Sequence, residues 1–188
     1  ALVGFFEGAM SGVVLSSNGA SPGLLSGNAT FGVRFRQLNT GASQELFVGH
    51  GDLGVAANRS QADLGWAAAN SFTISLSGGT LTATVGATSR QYANVIEASG
   101  ALAGQPFDTL QFALRDQFSG AGTFNLSGLT LSGTDYLGHA VSNAAVGSIA
   151  AVDGGGFGYW LLTGVDFAQD FTLSGSFNRS GAFGNSAE

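Results

Sequence analysis

Between residues 70 and 86 apolar and hydroxyl-bearing positions alternate without a break, in the run Asn-Ser-Phe-Thr-Ile-Ser-Leu-Ser-Gly-Gly-Thr-Leu-Thr-Ala-Thr-Val-Gly. Period-two alternation marks a half-buried strand, and the central Gly-Gly pair supplies the positive φ angles of a primed two-residue turn. The run therefore predicts a β-hairpin with Ser77 opposite Thr80, Leu76 opposite Leu81, Ile74 opposite Ala83 and Phe72 opposite Val85. These apolar pairs share one face, while Ser71, Thr73, Ser75 and Ser77 join Thr80, Thr82 and Thr84 on the other. A slip of one residue would bury the hydroxyls and expose Phe72, Ile74 and Leu76, so the pattern fixes the register.

Similar alternation recurs along the chain. Phe31, Val33 and Phe35 interleave with Arg34 and Arg36, predicting an antiparallel strand whose arginines lie on a solvated face. Residues 44–50 read as the next strand, followed by a Gly/Ala/Asn stretch that leads to Trp66. Residues 91–97 read as a short strand or a turn of helix around Tyr92, Val95 and Ile96. Leu110, Phe112 and Leu114 alternate with Gln111, Ala113 and Arg115. Phe124 and Leu126 lie on one parity and Leu129 and Leu131 on the other, which predicts a β-bulge or a corner at Ser127-Gly128. Residues 133–156 carry the weakest pattern and read as a long, mobile connection. Residues 157–162 form a dense apolar strand, Phe167, Phe171, Leu173 and Phe177 carry the last alternation, and 181–188 resembles a linker.

The opening Leu2-Val3-Gly4-Phe5-Phe6, with Val13, Val14 and Leu15 beyond it, is apolar and glycine-spaced. It reads as a buried strand, either docked in the chain's own sheet or donated to a neighbouring copy. Together these segments predict an all-β, jelly-roll-like antiparallel β-sandwich of two sheets, with residues 1–188 as a single domain.

Composition sharpens this picture. The chain has 188 residues with 31 glycines and 15 phenylalanines but only 2 prolines, a balance that suits strands joined by tight turns. Lysine is absent, and Arg34, Arg36, Arg59, Arg90, Arg115 and Arg179 face 12 carboxylates for a formal net charge of −6. Such a surface repels phosphate backbones and anionic lipids, so nucleic acid is disfavoured as a partner. Charged residues make up 10% of the chain, which leaves hydroxyl, amide and backbone groups to form much of the exterior. That kind of surface suits sugars or further copies of the same chain. Without cysteine there are no disulfides, thiolate nucleophiles or cysteine-bound metals. No apolar run is long enough to span a membrane, and the start of the chain lacks the basic opening of a signal peptide, so if the protein is exported the sequence is expected to be its mature form.

Candidate chemistry is sparse. His50 and His139 are the only histidines, and the Gly-x-Ser-x-Gly nucleophile elbow is missing, which argues against a serine hydrolase. Glu7, Glu45 and Glu97 form no recognisable glycosidase pair. No cofactor is expected, although Asp52, Asp153, Asp166 and Asp170 leave room for a structural or adventitious Ca²⁺. Trp66, Tyr92, Tyr159 and Trp160 are candidate sugar-stacking platforms, with Arg34 or Arg36 beside them.

Residues 70–86, then 107–133, then Tyr159-Trp160-Leu161-Leu162-Thr163-Gly164-Val165-Asp166-Phe167 resemble the bacterial choice-of-anchor domains, secreted proteins usually sorted by a PEP-CTERM tail. The resemblance implies a β-sandwich exported to the cell surface or extracellular matrix, with no assigned catalytic residues; the Val-Pro-Glu-Pro anchor of that family is not present here. The expectation is a non-enzymatic structural protein that self-associates, even into a fibre, by strand addition through Leu2, Val3, Phe5, Phe6, Val13, Val14 and Leu15. The alternative is an exopolysaccharide-binding module.

Overall fold

The fold is that of a computed structural model, which describes residues 2–6, 30–38, 43–51, 53, 55–63, 69–100, 107, 109–113, 123–134, 140–151, 157–161, 169–180 and 186–187. The strands in chain order are β1 (Leu2–Phe6), β2 (Thr30–Leu38), β3 (Ser43–His50), β4 (Arg59–Asp63), β5 (Ala69–Ser77), β6 (Thr80–Val85) and β7 (Thr88–Tyr92). After the one-turn helix α1 (Val95–Ala98) come β8 (Thr109–Ala113), β9 (Thr123–Thr134), β10 (Ala140–Ala151), β11 (Phe157–Leu161), β12 (Phe171–Ser180) and β13 (Ser186–Ala187). One sheet runs β11-β8-β1-β2-β3-β4, with β13 also beside β2; the other runs β10-β9-β12-β5-β6-β7. Every pairing is antiparallel. The chain is an all-β sandwich, and it crosses between the sheets repeatedly from β4 onward.

The hairpin β5–β6 has the register read from its sequence: Ser77 faces Thr80, Leu76 faces Leu81, Ile74 faces Ala83 and Phe72 faces Val85. Its turn residues Gly78 and Gly79 have φ values of 53° and 75°, the left-handed pair that a primed turn requires. Phe72, Ile74, Leu76, Leu81, Ala83 and Val85 are all buried. Complete burial of each larger aliphatic side chain stabilises the fold by about 1.5–3 kcal/mol. Leu129, Leu131, Phe171 and Leu173 extend this layer within the same sheet, and Phe31, Val33, Leu46 and Val48 are buried in the other.

The parity change at Ser127-Gly128 is a β-bulge. Along β12, Ser174 faces Thr130 and Ser176 faces Ser127, so Gly128 and Leu129 together oppose Gly175. Gly128 has φ of 61°, which matches the glycine of a G1-type bulge. The extra residue restores Leu129 and Leu131 to the core, where they are 2% and 0% exposed.

Four expectations are corrected. Arg34 does not lie on a solvated face: it is 0% exposed, as is Phe47 directly opposite on β3, so this part of the first sheet is covered on both faces. Alternation identifies two faces but not which of them a further layer covers. Residues 140–151 are not a mobile connection but the edge strand β10, whose small side chains and register shifts along β9 erase the apolar period. The tail is not wholly linker-like, since β13 pairs with β2 through Ser186 opposite Leu38 and Ala187 opposite Gln37. The stretch after His50 contains β4, a polar edge strand without apolar alternation.

Candidate functional site

Two features stand out, one in each sheet. In the first, β1 is the earliest strand along the chain yet lies inside the sheet. On one side Val3 faces Val33 and Phe5 faces Phe31; on the other Val3 faces Phe112 and Phe5 faces Leu110. β1 therefore adopts the docked arrangement, paired along its full length with both neighbours. β13 continues the line of β1 on the same side of β2: Ala187 stands opposite Gln37 and Leu2 opposite Arg34, with only Phe35 and Arg36 of β2 between them. The outer edges of the two sheets meet rather than stand open. Arg90 Nε on β7 donates to the carbonyl of Gln61 on β4 at 2.7 Å, and β10 contacts β11 at the opposite side.

The second feature is the outer face of the hairpin sheet. Antiparallel register aligns Ser132, Thr172, Ser75, Thr82 and Gln91 in one row across five strands. The next row holds Thr130, Ser174, Thr73, Thr84 and Ser89. All ten are exposed or half-buried, so the face is open to solvent. Thr84 Oγ1 and Ser89 Oγ are hydrogen-bonded at 3.1 Å.

At one end of this face an open groove of about 360 Å³ is lined by Ser75, Ser77, Ser132, Gly133, Asp170 and Thr172, among others. Asp170 is fixed in it: Oδ1 accepts from the backbone N–H of Gly78 at 2.9 Å, and Oδ2 accepts from Ser77 Oγ at 3.3 Å. The next residue of the turn is held from the far side, where the N–H of Val95 donates to the carbonyl of Gly79 at 3.0 Å. The hairpin turn thus packs between the start of β12 and helix α1.

No protein-family model, curated protein or solved structure matches this chain.

The candidate sugar platforms do not converge. Tyr92 lies on β7, where it is half-buried, with its ring 5.3 Å from that of His50 and its hydroxyl donating to the carbonyl of Ala57 at 3.4 Å. Tyr159 and Trp160 are consecutive residues of the edge strand β11, opposite Gln111 and Leu110 of β8. Arg34 and Arg36 are on β2, with β8 and β1 lying between β2 and β11. Three strand steps separate them from the aromatic pair, about 14 Å at the usual spacing. Trp66, Val13, Val14 and Leu15 lie outside the described residues.

Arg34 instead belongs to a buried polar cluster. Its guanidinium carbon lies 5.5 Å from the centre of the Phe47 ring, and that of Arg59 lies 4.3 Å from the same ring. Arg59 Nη1 also donates to the carbonyl of Leu53 at 2.6 Å. Cation–π contacts of this kind gain strength when withdrawn from water. Sequence reasoning missed Arg59 because a polar edge strand gives no periodic signal.

Of the aspartates considered for Ca²⁺, Asp52, Asp153 and Asp166 lie outside the described residues. Among the described residues no three His, Cys, Asp or Glu side chains come together as metal ligands. His50 is held below its ordinary pKa of 6.5 by burial. Among the described residues no helix is long and apolar enough to cross a membrane.

Proposed function

We propose that the protein is a non-enzymatic structural subunit of an extracellular or cell-surface matrix whose copies join by exchanging β1. The observation that carries this reading is the placement of an apolar first strand in the interior of its sheet, between β2 and β8. Withdrawing that strand uncovers two rows of backbone N–H and C=O groups, and a second copy's β1 satisfies the same groups with the same side chains. Exchange therefore remakes existing contacts and requires no new surface.

Simple addition at a sheet edge has less support, because the β4 and β7 edges are bridged and β10 and β11 lie against each other. What supports the extracellular setting is the acidic, hydroxyl-rich composition and the resemblance of three segments to choice-of-anchor domains.

Val3→Cys with Val33→Cys tests the reading, since the two residues face each other across β1 and β2 and the chain has no other thiol. Directly opposed antiparallel residues have the Cα separation that a disulfide needs. Oxidised protein is expected to remain monomeric by size-exclusion chromatography and electron microscopy. Reduced protein is expected to assemble as the natural sequence does. Equal assembly of the oxidised form, or a natural sequence that stays monomeric at all concentrations, would overturn it.

A further inference from the structure

We propose that the outer face of the hairpin sheet binds a neutral polysaccharide, one sugar unit of which docks in the groove at Asp170. This stands independently of strand exchange, which concerns the other sheet. The hydroxyls of Ser132, Thr172, Ser75 and Thr82 form one continuous row, and each can both donate and accept. The strands that carry the row lie about 4.8 Å apart and the next row follows about 6.8 Å along them, and within that next row Thr84 Oγ1 and Ser89 Oγ approach to 3.1 Å. The two aligned rows carry no charged side chain, so an ionic partner would surrender hydration there without a counter-charge, whereas a polyol exchanges one set of hydroxyl hydrogen bonds for another.

Asp170 sets the polarity of the docking point. An ionised carboxylate offers about four acceptor positions. The Gly78 N–H and Ser77 hydroxyl occupy two of these and hold the group in place. The remaining positions call for donors, which vicinal sugar hydroxyls supply and an anionic ligand does not. A single carboxylate among hydroxyls is a poor cation cage, and no acidic or histidine group assembles around it among the described residues. The groove is open, so it would meet one side of a sugar unit and leave the rest in solvent. Since the carboxylate is already fixed, binding does not have to order it.

Affinity electrophoresis in native gels containing dextran, mannan or galactan tests the assignment, with the anionic polymer alginate as the contrast. At least one neutral polymer should retard the protein and alginate should not. Asp170→Asn keeps an oxygen for the Gly78 N–H but removes the charge-assisted bonds to the sugar, and should weaken binding about tenfold or more. Ser132→Ala with Thr172→Val, which deletes groove hydroxyls without adding bulk, should abolish retardation while leaving the thermal unfolding midpoint in place. No retardation by any neutral polymer, or retardation that both variants leave unchanged, would overturn the proposal. So would thermal hysteresis of ice growth without polysaccharide binding, which would assign the hydroxyl array to ice.

Discussion

Gly175 lies where β12 passes the bulge of β9, and the packing there fixes a quantitative expectation. A methyl group on Gly175 would come 2.5 Å from Leu129 Cδ2, 2.9 Å from Phe72 Cζ and 3.0 Å from Phe72 Cε1. Leu129 and Phe72 are each 2% exposed, so neither can swing into solvent. Gly175→Ala therefore overpacks a closed core and should destabilise by about 1–3 kcal/mol. Leu129→Ala alone should cost about 2–5 kcal/mol, through lost burial and the cavity left behind. Combined, the changes should cost less than their sum by about 1 kcal/mol or more, because the closest clash is gone and Phe72 can relax into the vacated space. Urea unfolding near 15 °C, where such domains are close to maximal stability, gives the four corners of the cycle from midpoints at constant slope. Additivity within about 0.5 kcal/mol would refute the reasoning. It would mean that Gly175 does not lie beneath these two side chains, opposite the Gly128-Leu129 bulge of β9.

Other perturbations probe separate links. Burial keeps the His50 imidazole below its ordinary pKa of 6.5, so the unfolded chain takes up the proton first; stability from this group is intact above pH 6.5 and declines as pH falls toward the folded value. His50→Gln should flatten the stability profile as pH falls below 6.5, and an unchanged slope would count against this origin. Gly78→Ala places its methyl group in open space at φ 53°, so it should cost about 1–2 kcal/mol from backbone strain alone, a loss that trimming neighbouring side chains does not recover. Arg59→Ala should lose about 1–3 kcal/mol through the Phe47 contact and the bond to Leu53, with Arg59→Lys recovering only part of it; equal stability of all three chains would contradict the cluster.

The sequence made the hairpin legible to the residue because three independent signals agree there: alternation, a Gly-Gly turn and one solvated face. The bulge was legible for a related reason, since a parity change beside a glycine has few other solutions. Arg34 was not. Its strand alternates as a half-exposed strand should, and only the third dimension reveals that a second layer covers the arginine face. β4 and β10 failed for the opposite cause, because edge strands of small or polar residues gain their place from backbone pairing, which leaves little trace in side-chain pattern. The scattered aromatics illustrate the limit for sites. Tyr92, Tyr159 and Trp160 are sugar-stacking types by chemistry, but the sheet order separates them, and sheet order among crossing strands is not encoded locally. Asp170 was found only as one acid among several. Its partners Ser77 and Gly78 lie more than ninety residues away, at sequence separations of 93 and 92.

The two proposals occupy different sheets, and that separation makes a joint consequence measurable. Exchange of β1 rebuilds the first sheet from two copies, while the hydroxyl rows of β5, β6, β7, β9 and β12 lie wholly in the second. If both proposals hold, assembly would leave each hydroxyl face intact and repeat it along the polymer. A single face built from neutral hydroxyl bonds binds weakly, since each bond contributes only about 1 kcal/mol after the exchange with water. Several faces held on one assembly act together, and linked weak sites commonly gain about 10²–10⁴ in overall affinity without any new contact. The Val3→Cys, Val33→Cys chain allows the comparison within one molecule. Reduced and assembled, it should be retained on an immobilised neutral polysaccharide at least about 100-fold more strongly than when oxidised and monomeric. Ser132→Ala with Thr172→Val in the same background should abolish retention in both states without altering assembly. Retention that falls on reduction, with assembly confirmed by microscopy, would show that the faces are occluded in the polymer. Strand exchange and sugar binding would then compete instead of reinforcing each other.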